Sequence, residues 1–136
     1  MSSETITRND LSAILNEVLP SAAVDYVVEQ GTDNSWVYRK WNSGIFEAWR
    51  YYQATGLTLT TSSSGTYYGT SKLISLPSFA LTLACATSGE TPSQSSGVYI
   101  YQTVKNGSGL EIVYRAHASS SGVNCAGYFH IIGTWK

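Results

Sequence analysis

From Val24 to the end of the chain, large apolar and polar residues alternate with a period of two. This is the pattern of strands whose successive side chains point to opposite faces of a sheet. The clearest instance runs from Asp25 to Gln53. In WVYRKW, Trp36, Tyr38 and Lys40 share one face, while Val37, Arg39 and Trp41 share the other. Asn42, Ser43 and Gly44 supply turn residues, with Gly44 suited to the positive φ of a short bulged hairpin loop. The returning strand places Ile45, Glu47, Trp49 and Tyr51 on one face. Because both faces carry large amphipathic side chains, this hairpin is expected to meet protein on both.

The same reading predicts strands over residues 24–30, 35–41, 45–53, 56–61, 72–76, 79–87, 98–104, 109–117 and 126–135. Breaks fall at Gly31 to Asn34, Asn42 to Gly44, Ser62 to Gly65, Pro77, Ser88 to Gly97, Asn106-Gly107 and Ser119 to Gly122. Asn106-Gly107 is a strong hairpin signal, since both residues tolerate positive φ. Short strands at regular spacing predict an all-β fold, a sandwich or compact barrel of about eight to ten strands. A different period precedes them. Leu11, Ile14, Leu15 and Val18 form one apolar stripe at helical spacing within residues 7–19. Thr7 or Asn9 can cap this short N-terminal helix, Asp10 favours its first turn, and Pro20 stops it. A helix of about 13 residues is marginal alone in water, so its stripe must dock on something. The chain thus divides into a helical attachment segment, residues 1–23, and a β domain, residues 24–136.

Composition narrows the function classes. Charged residues make up 12% of the chain, against roughly 25% in ordinary soluble domains, and Ser and Thr take their place. Between Tyr51 and Val104 the only charged side chains are Lys72 and Glu90. A hydrophobic share of 43% with ten tyrosines supports a core and excludes a disordered chain. A net charge of −1 with scattered basic residues speaks against nucleic-acid binding, which needs clustered Lys and Arg. The polar start MSSETITRND lacks the basic and apolar regions of a secretory signal. No apolar run approaches the ~18 residues of a membrane span, so no membrane insertion is expected. Cys85 and Cys125 both lie in apolar, strand-like surroundings, and buried free thiols are expected in preference to a disulfide.

Catalytic patterns are sparse. His117 and His130 lie on separate predicted strands without a zinc-type partner, and there is no G-x-S-x-G elbow. Asp25, Glu29, Asp33, Glu47, Glu90 and Glu111 are available for a glycosidase pair, but none sits in a recognisable motif. No phosphate loop, dinucleotide fingerprint or calcium loop is present. No metal, no cofactor and no enzymatic activity are therefore expected. Binding is better served, because Tyr and Trp combine flat apolar faces with a polar edge. Tyr67 and Tyr68, flanked by Gly65 and Gly69, are the pair expected to meet a ligand from an exposed loop or edge strand. The Ser/Thr-rich loops at 61–66, 88–97 and 118–122 would add hydroxyl contacts. Strand alternation assigns Trp36, Trp41 and Trp49 to a core or to contacts between subunits.

Several of these segments also carry a family likeness. Y-V-V-E-Q-G-T, W-V-Y-R-K-W-N-S-G-I and E-A-W, with the leader LSAILNEVLP and the ending GYFHIIGTWK, resemble structural proteins of tailed bacteriophages and prophages of Gram-positive bacteria. Those are tail-fibre, receptor-binding and related appendage proteins. The likeness covers both ends and the first third, not residues 57–97. Where the family pattern ends in Cys-Trp-Gly, this chain has Ala48-Trp49-Arg50. The resemblance implies a virion protein assembled in the host bacterial cytoplasm, a homotrimer with other virion proteins as partners. It makes Leu11, Ile14, Leu15 and Val18, with Trp36, Trp41 and Trp49, the expected oligomerisation residues. The implied role is a fibre or receptor-binding component that contacts a bacterial surface glycan. Two alternatives stand beside it: a capsid-decorating or baseplate protein without host binding, and a carbohydrate-active enzyme.

Overall fold

The structure is a computed structural model and describes residues 24–90 and 97–136. The predicted helix, with Leu11, Ile14, Leu15 and Val18, lies outside the described residues. The described chain is all-β: β1 (Val27–Asp33), β2 (Trp36–Trp41), β3 (Ile45–Ser63), β4 (Thr66–Gly69), β5 (Ser71–Ser75), β6 (Thr82–Glu90), β7 (Val98–Asn106), β8 (Gly109–Ala116) and β9 (Ser120–Thr134). All pair antiparallel within one nine-stranded sheet.

β3 is the spine. One edge pairs with β9 from Ile45↔Thr134 to Leu59↔Ser120. Its other edge takes β2 along the first half and β4 along the second. β1 extends the sheet beyond β2, and β6 extends it beyond β9. β4 leads on to β8, which carries β5 and β7. The sheet is open, because no ladder joins β6 to β7 among the described residues. This corrects the expected sandwich or compact barrel: hydrogen bonding runs continuously through β4 instead of separating two sheets.

The physical reason lies at Gly56. Residues 45–53 and 56–61 read as two strands, yet the chain runs through as one of 19 residues. Phe46, Ala48 and Ala54 are buried, and then Leu57 and Leu59. The buried phase therefore jumps from even to odd positions. Register shifts between Ala54 and Leu57, and Gly56 takes φ +63° there. A bulge supplies one extra residue and bends the strand without ending it. Beyond it, inward residues of β8 (Leu110, Ile112, Tyr114, Ala116) join Trp36, Phe46, Phe129 and Ile131 in one core cluster.

Two side chains tie the ends of the sheet across that core. Trp36 Nε1 donates to the Ser75 carbonyl at 2.7 Å, and Asn34 Nδ2 donates to the Leu76 carbonyl at 2.8 Å. Phe46 lies over its cross-strand neighbour Gly133, where an added Cβ would meet the ring at 2.8 Å. Within its own chain the first hairpin is covered on one face. Its inner face is buried, but Val37 is 57% and Tyr51 46% exposed. A sheet with one covered face needs only one apolar side. Cys125 is buried, whereas Cys85 is an exposed thiol on an edge strand and not the buried one expected; no disulfide joins them.

Candidate functional site

The outer face of β1, β2, β3, β9 and β6 is built by register. Thr32 pairs with Val37, Val37 with Trp49, Trp49 with His130, and His130 with Thr87. These residues form one row across five strands. A parallel row runs Gln30, Arg39, Glu47, Ile132, Cys85. A third places Tyr51 beside Tyr128 and Tyr128 beside Gly89. Side chains directly opposite on antiparallel strands lie about 4.5–5.5 Å apart at Cβ, so each row is a contiguous surface.

The rings in these rows are ordered by one another. Trp49 and His130 stack with centroids 5.1 Å apart and planes 3° from parallel. The Arg39 guanidinium lies 5.7 Å from the Trp49 ring, a distance at which a cation is attracted to the ring face. Glu47 Oε2 stands 3.3 Å from His130 Nε2, on the edge of the same stack. Tyr51 and Tyr128 meet at 5.2 Å, and Tyr128 is 65% exposed. Between the two aromatic pairs and residues Thr87, Ser88 and Gly89 is a shallow cleft of about 320 Å³. On the other side of Trp49 a broader depression is lined by Gln30, Gly31, Thr32, Val37 and Arg39.

The expected site residues are distributed differently. Tyr67 and Tyr68 lie on the short strand β4, the strand placement of the two expected, and point to opposite faces. Tyr67 packs at the margin of the core, whereas Tyr68 is exposed beside the Arg115 guanidinium. They do not form a two-ring platform. Trp36 is completely buried in its own chain, which is the core placement of the two that alternation left open. Trp41 and Trp49 are half-buried on the outer face, and the Trp41 carbonyl accepts from Trp135 Nε1 at 3.0 Å. Tyr51, Tyr128, His130 and Arg39 were not among the expected contact residues. Alternation in GYFHIIG already placed Tyr128 and His130 on one side; only the β3–β9 register brings them to Trp49.

Five of the carboxylates are engaged separately. Asp25 accepts from Ser43, Asp33 from Ser78, Glu29 pairs with Lys40, Glu47 with His130, and Glu111 accepts from Asn106. Their hydroxyl donors, Ser43 and Ser78, hold the Asp25 and Asp33 carboxyls below the usual carboxylate range. Burial pushes the Tyr114 hydroxyl well above the ordinary tyrosine range. Among the described residues, no three His, Cys, Asp or Glu side chains converge to hold a metal ion. No helix there is long and apolar enough to cross a membrane.

No family model matches the chain, and no curated protein matches it. Among solved structures, it is similar to an N-truncated R2-type pyocin tail fibre, with a TM-score of 0.44 and 10% sequence identity. The match covers 98% of this chain and 53% of that one, so the chain spans about half the length of the fibre fragment it resembles.

Proposed function

We propose that the protein is a non-enzymatic bacteriophage virion component, of tail-fibre or receptor-binding type, and that the outer face around Trp49 contacts a bacterial surface glycan. The virion assignment rests on the sequence likeness of residues 26–49 and of the two chain ends to phage appendage proteins, and its Gram-positive host range on that likeness alone. The observation that carries the binding reading is the stack of Trp49 on His130 beside Tyr51 and Tyr128. Flat, exposed rings suit the apolar faces of sugar rings, while Thr87, Ser88 and Glu47 border them with hydroxyl and carboxylate groups. Glu47 and His130 are read as positioning the stack instead of performing chemistry, because each is the other's polar partner.

A Trp49→Ala, Tyr128→Ala double variant is expected to fold normally and to lose binding to host cells. Solubilised cell-wall polysaccharide should compete with the unaltered protein. Retained binding by the variant would remove this face from the proposal. Electron microscopy of virions labelled with antibody to the chain should mark the tail; label over the capsid would favour the capsid-decorating alternative.

A further inference from the structure

The inner side of β3 holds a charge that the outer face does not explain. Arg50 follows Phe46 and Ala48 on the core-facing side of the strand, where an arginine is unexpected. Its Nη1 donates to the Asn34 carbonyl at 3.3 Å, and its guanidinium lies 5.5 Å from the Tyr52 ring. Its Nε is buried and has no hydrogen-bond partner. No carboxylate forms an ion pair with it among the described residues. Arg50 is nonetheless only half-buried, so the part of its guanidinium that solvent reaches is a charged donor without a counter-charge.

Arg50 borders a pocket of about 390 Å³ between the β1–β2 turn, β3 and β5. Polar residues dominate the lining: Asn34, Ser35, Tyr52 and Ser75 accompany Arg50 there. The walls are held in place. Asn34 and Ser35 both take positive φ in the two-residue turn, and the turn is fastened to the β5 end by the Asn34–Leu76 and Trp36–Ser75 hydrogen bonds. A guanidinium fork, hydroxyl-bearing neighbours and no counter-charge make a preorganised setting for an anion.

We infer that this pocket binds a compact oxyanion, a carboxylate or phosphate group, with Arg50 as its anchor. Arg115 provides the contrast. Its Nε is also buried without a partner, but its guanidinium lies 4.1 Å from the Tyr101 ring and 5.6 Å from that of Tyr68, and its Nη1 donates to Thr66 Oγ1. That arginine is occupied by rings and lines none of the described pockets.

The test is a titration of the isotopically labelled full chain with inorganic phosphate and, separately, acetate, with ionic strength held constant by chloride. Arginine Nε–H and backbone resonances are followed by NMR. The Arg50 Nε–H and Ser35 amide signals are expected to shift saturably, while the Arg115 Nε–H signal stays in place. Tighter binding of phosphate would mark a phosphate-bearing ligand, and tighter binding of acetate a carboxylate-bearing one. Arg50→Gln should weaken binding at least tenfold, and Arg50→Lys, which keeps the charge but loses the fork, should weaken it to a lesser degree. Shifts that never saturate, that move Arg115 equally, or that are absent from the unaltered protein would overturn the site without reference to any variant's folding.

Discussion

Asp33 closes β1 and accepts two hydrogen bonds from Ser78, from its backbone N–H at 3.0 Å and its hydroxyl at 2.5 Å. The hydroxyl is the largest cause of its lowered pKa, followed by the backbone donor. A carboxyl whose folded pKa is depressed adds stability that is whole above the unfolded value of about 3.9. That contribution is lost as pH falls through the lower folded value. Asp33→Asn is therefore expected to lower the urea midpoint above about pH 5, with the two curves converging near pH 2. Parallel curves at every pH would show that the carboxylate adds nothing. Other residues act through packing. Trp36 fills the core and spends its indole N–H on the Ser75 carbonyl, so it joins β2 to β5 by volume and by hydrogen bond together.

β3 determines the architecture because it belongs to both parts of the sheet. Its first half lies between β2 and β9, its second between β4 and β9, and the bulge at Gly56 reorients it between them. Gly56 has open space where a side chain would stand, but its φ of +63° is unfavourable for any residue with a Cβ. Gly56→Ala is thus expected to destabilise the fold by about 1–2 kcal/mol through backbone strain alone. Gly56→Asn should cost less, since Asn enters this region more readily. Gly89 meets equally open space without a positive φ, and Gly89→Ala should stay within about 0.5 kcal/mol of the unaltered protein. Urea denaturation of the three variants checks both the strain and the control. Equal stability of Gly56→Ala and the parent would mean that β3 need not bend there.

At the scale of the whole molecule, exposed apolar side chains cluster on the outer face, with Val37, Ile45, Tyr51 and Tyr128 all more than two-fifths exposed. Such surface is unusual for a lone small domain and marks a place of contact. We propose that the chain assembles as the trimer that the family likeness implies, with Leu11, Ile14, Leu15 and Val18, which lie outside the described residues, as the clamp to test. Light scattering at micromolar concentration should give three times the chain mass of 14.7 kDa. Leu15→Asp should reduce it to one chain mass while leaving the β-sheet circular dichroism unchanged. A monomeric unaltered protein would refute the assembly.

Alternation along the chain was enough for the all-β class, for the hairpin of β2 and β3, and for the turn after Asn106. Those are local matters: a period of two sets which side chains share a face, and Asn-Gly or Asn-Ser-Gly sets where the chain can reverse. The same alternation placed Trp49 with Tyr51, and Tyr128 with His130. That these pairs lie side by side was decided by the β3–β9 ladder, which joins residues some eighty positions apart. The continuation of β3 through Gly56 was likewise not legible, because a glycine between two apolar runs reads equally as a break or a bulge. Trp36 and Trp49 carry the same periodic signal, and only the packing of the sheet's inner face around a common core buries one and leaves the other at the surface. Arg50 shares the alternation phase of Phe46 and Ala48, but its half-buried place beside Asn34 follows from the β1–β2 turn being fastened across to β5. Local pattern limits which face a residue can join, whereas the long-range pairing that covers that face is settled by packing of the whole chain.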